Sequence, residues 1–130
     1  MMTNRFHVVL TEKALPLDRP SFASDGATGA AVDFYGVVRG REEAGPIAAL
    51  DYEAYLAMAQ RSLEKIVEKL GQEHGAVAVR VTHRTGTVPV GEPSLHVHVE
   101  TPHRGEAFKL AEAIISAIKR DVPIWKKARA

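Results

Sequence analysis

The residues best suited to chemistry lie in IKRDVPIWKK, residues 118–127. This segment places Lys119 ahead of a proline and then adds Trp125, Lys126 and Lys127. Ammonium groups held close together attract anions and lower one another's pKa, so that one of them can act as an acid or a base. The segment therefore predicts either one wall of an anion-binding site or a solvated basic tail.

Lys119 differs from its basic neighbours in its position on a helical wheel. Residues 104–121 have the apolar periodicity of a helix, and Lys119 falls about 20° from Phe108, at the edge of the apolar arc, whereas Lys109 points to solvent. In one interpretation the Lys119 stem packs on apolar surface and its amine lies at the mouth of a pocket, where desolvation lowers the pKa of the amine. In the other, the side chain extends along the surface and places its amine in water. The predicted apolar arc contains Phe108, Ala111, Ile114, Ile115 and Ile118.

Two further segments combine a cation with a favourable position in the chain. His103 and Arg104 begin the predicted helix, where free backbone N–H groups and the positive end of the helix dipole favour a phosphate or a carboxylate. The alternative is that His103 caps the helix and Arg104 is solvated. Arg39 ends a predicted strand just before the polar segment 40–46, which suits closure over an anion, but the position alone favours a solvated arginine.

His96 and His98 lie on one face of a predicted strand, and Glu100 follows them. This H-x-H spacing can bind zinc if a third ligand is available, and His83 is the candidate. The alternative is a polar sheet face with cross-strand pairs. Two arginines are the candidate partners of Glu100: Arg80 and Arg84.

Composition limits the class of protein. The chain has 130 residues, of which 45% are hydrophobic and 25% charged, with a formal net charge of +1. This predicts one domain over residues 1–130 and argues against bulk nucleic-acid binding. We see no apolar run long enough for a membrane span and no signal peptide, so we expect a cytoplasmic protein. The absence of cysteine excludes disulfides, thiolate metal sites and a cysteine nucleophile.

The order of the predicted elements indicates an α+β fold. We expect a mainly antiparallel sheet with both main helices on one face, Met58 in the core, and helix ends set by Gly75 and Pro123. Segment 16–29 is predicted as a loop with room for one helical turn, and 40–46 as a mobile connection. The predicted helices are 55–74, with Leu56 on its apolar face, and 104–121. The predicted strands are 5–11, 30–39, 47–55, 76–84 and 94–100, with a short strand within 85–93.

Five motifs carry a resemblance to a known family, in an order and spacing that cover roughly residues 5–127. They are FYGVVR, LDYEAYLAMA, VTHRTGTVPVGE, VHVETPHRGEAF and IKRDVPIWKK. Together they closely resemble the large, catalytic subunits of molybdopterin synthase. The resemblance implies an α/β hammerhead fold with an additional antiparallel sheet.

The resemblance also implies an activity and its partners. The family converts cyclic pyranopterin monophosphate into molybdopterin with sulfur from a thiocarboxylate on the C-terminal Gly-Gly of a small ubiquitin-like subunit. The large subunits form a homodimer at the centre of a heterotetramer. A sulfur carried by the partner agrees with a chain that has no cysteine. No metal and no cofactor of its own are expected.

The resemblance assigns roles to particular residues. Lys119 corresponds to the main catalytic lysine and Lys126 to a second one, with Trp125 expected to bury its ring and fix the chain there. Arg39 is implied to reach toward the other subunit's site. The implied substrate-binding residues are Val37, Val38, Arg39, His103, Arg104, Lys119, Lys126, Lys127 and Ala128.

The chain departs from the family in three places. Ala128 stands where an acidic residue is usual, the sequence stops at Ala130 where many members continue, and segment 16–29 is short for the helix found there in relatives. The contacts that such a tail makes in relatives are therefore not carried over to this chain. Two other classes stay open: a non-catalytic module that binds a nucleotide or an acidic tail, and a zinc protein that uses His96 and His98. The residue that activates water for release of the acyl tail is not identified by the sequence.

Overall fold

The computed structural model describes residues 5–17, 21–23 and 25–130. Its helices are α1 (Leu56–Glu73) and α2 (Arg104–Asp121). Its strands are β1 (Phe6–Thr11), β2 (Ala30–Val37), β3 (Arg41–Glu42), β4 (Gly45–Pro46), β5 (Ala49–Ala54), β6 (Ala78–Arg84), β7 (Gly86–Pro89), β8 (Pro93–Thr101) and β9 (Ile124–Arg129). The predicted α+β class is confirmed, and the predicted helices agree with the observed ones to within one residue at each end.

The main sheet has four strands in the order β1-β6-β8-β2. The pairs β6–β8 and β2–β8 are antiparallel, and β1–β6 is parallel. Valines at alternate positions of β6 and β8 point to one face, where α1 and α2 pack against them and against each other. Both helices thus lie on one face of a mainly antiparallel sheet, as predicted.

A second sheet has three strands in the order β7-β5-β9. Its outer strand β9 pairs with β5 along its whole length, from Ile124 opposite Ala54 to Arg129 opposite Ala49. Val38, Leu50 and Val88 form a small separate core beside this sheet. Segment 40–46, predicted as a mobile connection, contains the short hairpin β3–β4.

Local signals explain how both helices end. Gly75 adopts a φ of +63°, a left-handed conformation that glycine takes without strain, and its N–H donates to the carbonyl of Gln72. Val122 is extended, with a ψ of 132°, because Pro123 follows it. Each turn redirects the chain into a strand of the sheets.

Some predicted core residues lie at the surface. Leu56 and Met58 are 59% and 53% exposed, because the buried positions of α1 begin at Ala59 and repeat toward the C-terminus. Phe108 is 63% exposed, because the buried arc of α2 extends to Leu110 and Ala117 and so turns away from it. Trp125, expected to be buried, is 51% exposed and lies edge-on to Tyr55. An apolar residue type does not by itself determine which helix face meets the sheet.

The segment predicted as a loop at 16–29 has no helix in its described part, residues 16–17, 21–23 and 25–29. The prediction for 18–20 and 24 lies outside the described residues. In the part of the chain that the structure describes, neither helix has the length and hydropathy needed to cross a membrane.

Candidate functional site

A cavity of about 460 Å³ opens where the end of β2, the last turn of α2 and the start of β9 meet. Five of the predicted site residues line it: Val37, Val38, Arg39, Lys119 and Lys126. A more open depression over residues 39–43 adjoins the cavity through Arg39 and Glu42 but contains neither lysine. The cavity therefore joins two cationic segments that are far apart in the chain.

The two lysines come together because the chain reverses at Pro123. Lys119 lies in the last turn of α2, and Lys126 lies in β9, opposite Tyr52 of β5. Ile118 and Ile124 give this part of the cavity an apolar wall. The Lys126 ammonium donates a hydrogen bond of 3.4 Å to the Glu42 carboxylate, so its charge is already partly compensated.

Arg39 extends from an anchored piece of backbone. The N–H of Val38 donates to the Glu92 carbonyl at 3.0 Å, and the N–H of Gly91 donates to the Val38 carbonyl at 2.9 Å. Val38 itself is buried, whereas Arg39 is exposed at the cavity rim. Among the described residues no side chain pairs with the Arg39 guanidinium, and a guanidinium held on anchored backbone suits recognition of a phosphate or a carboxylate.

Four predicted site residues do not line this cavity. His103 and Arg104 begin α2, at the end opposite Lys119, and both are exposed. His103 precedes the helix without a hydrogen bond from its side chain to the helix backbone, so the alternative in which it caps the helix is not supported. Lys127 and Ala128 lie in β9 opposite Asp51 and Leu50, outside the cavity.

The cavity also contains a histidine that the sequence interpretation considered only as a zinc ligand. His83 is 6% exposed, and its Nδ1 lies 2.7 Å from the carbonyl oxygen of Arg84. Burial lowers its pKa, and the hydrogen bond to Arg84 only partly opposes this shift. Val79, Val81 and His83 are alternate residues of one strand, so their side chains point to the same face of the sheet. Because the two valines are apolar, this spacing could have predicted that His83 is buried.

Tyr52 holds the other side of this histidine. Its ring lies edge-on to His83 at a centroid distance of 5.3 Å, and its hydroxyl donates to Ser94 Oγ at 3.0 Å. The imidazole is therefore held between a backbone carbonyl and an aromatic ring.

Within the motif HRTGTVPVGE, the arginine of HR (Arg84) forms an ion pair with the glutamate of GE (Glu92). Arg84, with its side chain 7% exposed, donates to Glu92 at 2.8 Å and also reaches the carbonyls of Glu12 and Thr87. Two glycines with positive φ, Gly86 at +79° and Gly91 at +88°, bend the backbone between them. This pair fixes the residue whose carbonyl holds His83.

His96 and His98 lie on the opposite face of the main sheet. Asp33 Oδ1 is 2.7 Å from His96 Nε2 and 2.8 Å from His98 Nδ1, and Glu100 Oε2 is 2.8 Å from His98 Nε2. Each ring nitrogen of His98 therefore lies at hydrogen-bond distance from a carboxylate oxygen. Glu100 also accepts from the Ala23 N–H and the Thr28 hydroxyl, so the predicted pairing with an arginine is wrong.

This polar network favours the cross-strand interpretation over zinc. Asp33 on β2 stands directly opposite His98 on β8, which makes the contact a pair between neighbouring strands. Within the described residues, no three histidine, aspartate or glutamate side chains are arranged to hold a metal ion. The zinc interpretation therefore has no support from the geometry.

Comparison with known proteins gives a consistent result. Residues 10–121 match the family model described as MoaE protein. The chain is 38% identical over 122 residues to a molybdopterin synthase catalytic subunit of Emericella nidulans, covering 93% of this chain and 63% of that protein. It is 37% identical over 119 residues to a molybdopterin synthase catalytic subunit 1 of Mycobacterium tuberculosis, covering 91% of this chain and 81% of that protein.

The fold also matches a solved structure. The crystal structure of molybdopterin synthase from Staphylococcus aureus superposes with a TM-score of 0.83 at 30% identity, covering 97% of this chain and 91% of that chain. Some of the curated relatives are longer, and the chain spans about half of the Oryza sativa protein, at 53% of its length.

Proposed function

The chain belongs to the MoaE protein family, and on this premise we propose that it is the catalytic subunit of a molybdopterin synthase. It transfers sulfur from the C-terminal thiocarboxylate of a small ubiquitin-like subunit to cyclic pyranopterin monophosphate. The observation that carries this proposal is the cavity that joins Arg39, Lys119 and Lys126. An anionic substrate and an anionic sulfur donor both require such a cationic site.

Each cation has a distinct place in the proposed reaction. Arg39 binds the substrate phosphate, because its guanidinium extends from anchored backbone at the cavity rim. The thiocarboxylate sulfur bonds to an electrophilic carbon of the pterin side chain, a carbon–oxygen bonding pair at that carbon moves onto oxygen, and Lys119 protonates this oxygen and stabilises the negative charge that develops on it. Lys126 positions the intermediate, with Glu42 holding its ammonium.

Attack by sulfur joins the tail to the substrate through a thioester. Water must then cleave the bond between the acyl carbon and sulfur, which leaves sulfur on the substrate and a carboxylate on the tail. Two sulfurs require two such rounds, each with a fresh small subunit. The phosphate contact keeps the half-sulfurated intermediate bound between rounds.

His103 and Arg104 enter this proposal through a second copy of the chain. They lie at the far end of α2 from Lys119, so they do not contact a substrate in the cavity of their own chain. A homodimer in which each copy supplies these residues to its partner's cavity gives them the substrate-binding role. Lys127 and Ala128 then contact the small subunit or the partner copy from β9.

The proposed assembly is a heterotetramer, with a small subunit at each end of the central dimer. The location we propose is the cytoplasm. We also propose that residues 1–130 form one domain, since the main sheet and both helices share one core.

Reconstitution tests this function. We expect the protein, mixed with a thiocarboxylated small subunit and cyclic pyranopterin monophosphate, to form molybdopterin, detected by fluorescence after oxidation. Lys119→Ala should abolish product and still bind the small subunit. Lys109→Ala, an exposed lysine of the same helix, is the matched control and should retain activity.

The outcomes separate the competing explanations. Full activity of Lys119→Ala would move the catalytic role to another residue, with Lys126 the next candidate. Absence of product from the parent protein, with the small subunit still bound, would favour a non-catalytic binding module.

A further inference from the structure

His83 is a side chain in the cavity that the proposed sulfur transfer does not use. A carbonyl oxygen can only accept, so Nδ1 carries the proton in the hydrogen bond to Arg84. In the neutral ring, Nε2 is then left as a proton acceptor. Among the described residues, no hydrogen-bond partner occupies Nε2, and the burial that lowers the pKa keeps the ring neutral near pH 7.

The other polar groups of the cavity are poorly suited to accept a proton. Arg39, Lys119 and Lys126 are cations. The Tyr52 hydroxyl donates to Ser94. Glu42 is a carboxylate, but it accepts a hydrogen bond from the Lys126 ammonium at 3.4 Å and so already has a cationic partner.

We propose that His83 is the general base that activates water to release the acyl tail after each sulfur transfer. This inference rests on the proposed function, which supplies the thioester. The water oxygen bonds to the acyl carbon while Nε2 of His83 takes one proton from that water. The carbon–sulfur bond breaks, its electron pair stays on sulfur as a thiolate, and the tail leaves as a carboxylic acid that ionises. His83 then passes its proton to the thiolate or to solvent.

The surroundings of His83 suit a base that must keep one orientation. The accepting carbonyl belongs to Arg84, which the ion pair with Glu92 holds in place. Tyr52 restricts the ring from its side. A ring with a fixed tautomer and a fixed direction loses little entropy when it acts, which is the condition for efficient general-base catalysis.

The test separates formation of the thioester from its release. Parent and variant proteins are mixed in a single turnover with thiocarboxylated small subunit and cyclic pyranopterin monophosphate, quenched in acid, and analysed by mass spectrometry for the tail–substrate adduct. His83→Asn is the informative variant, because its amide N–H can still donate to the Arg84 carbonyl while no base replaces Nε2. His83→Gln is the second variant, and His7→Asn, an exposed histidine on β1, is the matched control.

We expect both His83 variants to form the adduct at the parent rate and to release it about 100-fold more slowly. In the parent, release should be constant above pH 6.5, the ordinary pKa of histidine, and should decline only below it, because the lowered pKa keeps the ring neutral there. In the His83 variants, the release rate should no longer decline below pH 6.5. If His83 had only a structural role, the variants would keep this decline.

Three results would overturn the inference: release at the parent rate in both His83 variants, an effect on adduct formation alone, or a release defect in Glu42→Gln with none in His83→Asn. Failure of the proposed function would look different, since the parent itself would give neither adduct nor product.

Discussion

Arg104 and Lys119 lie at opposite ends of α2, fifteen residues apart in an unbroken helix. At 1.5 Å per residue their Cα atoms are about 22 Å apart along the helix axis. One small substrate cannot contact both residues in a single chain. The proposed site therefore needs Arg104 from one copy and Lys119 from another.

Mixing two inactive variants should restore activity. Arg104→Ala and Lys119→Ala remove groups from opposite ends of α2, so a mixed dimer keeps one complete site and loses the other. Random exchange in a two-fold symmetric dimer should recover about a quarter of the parental activity. Molybdopterin formation after subunit exchange is the measurement.

The matched control mixes Lys119→Ala with Lys126→Ala, because both residues line the cavity of one chain. Every mixed dimer then has one defect in each site, and no recovery is expected. Equal recovery in both mixtures, or none in the first despite verified exchange, would contradict a shared site.

Arg39→Ala should weaken binding of the cyclic precursor about 10-fold to 100-fold, because one hydrogen bond to a charged group contributes about 1.5–3 kcal/mol. Titration calorimetry with the precursor measures this directly. Arg61→Ala, an exposed arginine on α1, is the control and should bind like the parent. Unchanged affinity in Arg39→Ala would remove Arg39 from the phosphate contact.

Gly71 packs directly against Phe6, although it lies within a helix. A Cβ at residue 71 would be 2.8 Å from Cζ of the Phe6 ring. Gly71→Ala should therefore lower the free energy of unfolding by about 1 kcal/mol, since overpacking outweighs the gain in helix propensity. Urea denaturation measures the change.

Gly105→Ala is the comparison within α2, because, apart from its chain neighbours and the adjacent helix backbone, no atom of the described residues lies within 4 Å of the Cβ position there. This variant should equal or exceed the parent in stability. Stabilisation by both alanines would mean that Phe6 moves aside without cost.

Glu100 should make stability depend on acid pH. Burial raises its pKa, but hydrogen bonds from His98, Thr28 and Ala23 lower it, and the net pKa lies below the ordinary 4.5. A carboxylate with a lowered pKa stabilises the fold above pH 4.5 and loses this effect as the pH falls through its folded-state pKa. Glu100→Gln should be about 2 kcal/mol less stable than the parent at pH 7, and this gap should narrow in acid.

Urea denaturation from pH 7 down to about pH 3.5 measures this difference in stability between parent and variant. Glu112→Gln, at an exposed glutamate of α2, is the control. Parallel stability curves for parent and Glu100→Gln would show that the Glu100 network does not favour the ionised carboxylate.

Local patterns were sufficient to predict the helices and most strands. Gly75 and Pro123 end helices through their own backbone geometry, which needs no distant partner. The motifs around Arg39, Lys119 and Lys126 were sufficient to identify the family and to select residues that line one cavity.

Only the tertiary structure decided which residues meet. Residues 124–129 form strand β9 because they pair with β5. The sequence of this segment alone does not predict that pairing. The face of α2 that packs on the sheet leaves Phe108 exposed, and the length of α2 separates Arg104 from Lys119. His83 joins the cavity through contacts between β6, β5 and the end of α2, which are distant in sequence. The sequence by itself determined the local elements and the family. The packing of those elements decided the composition of the site, because contacts between distant segments depend on how whole faces fit together.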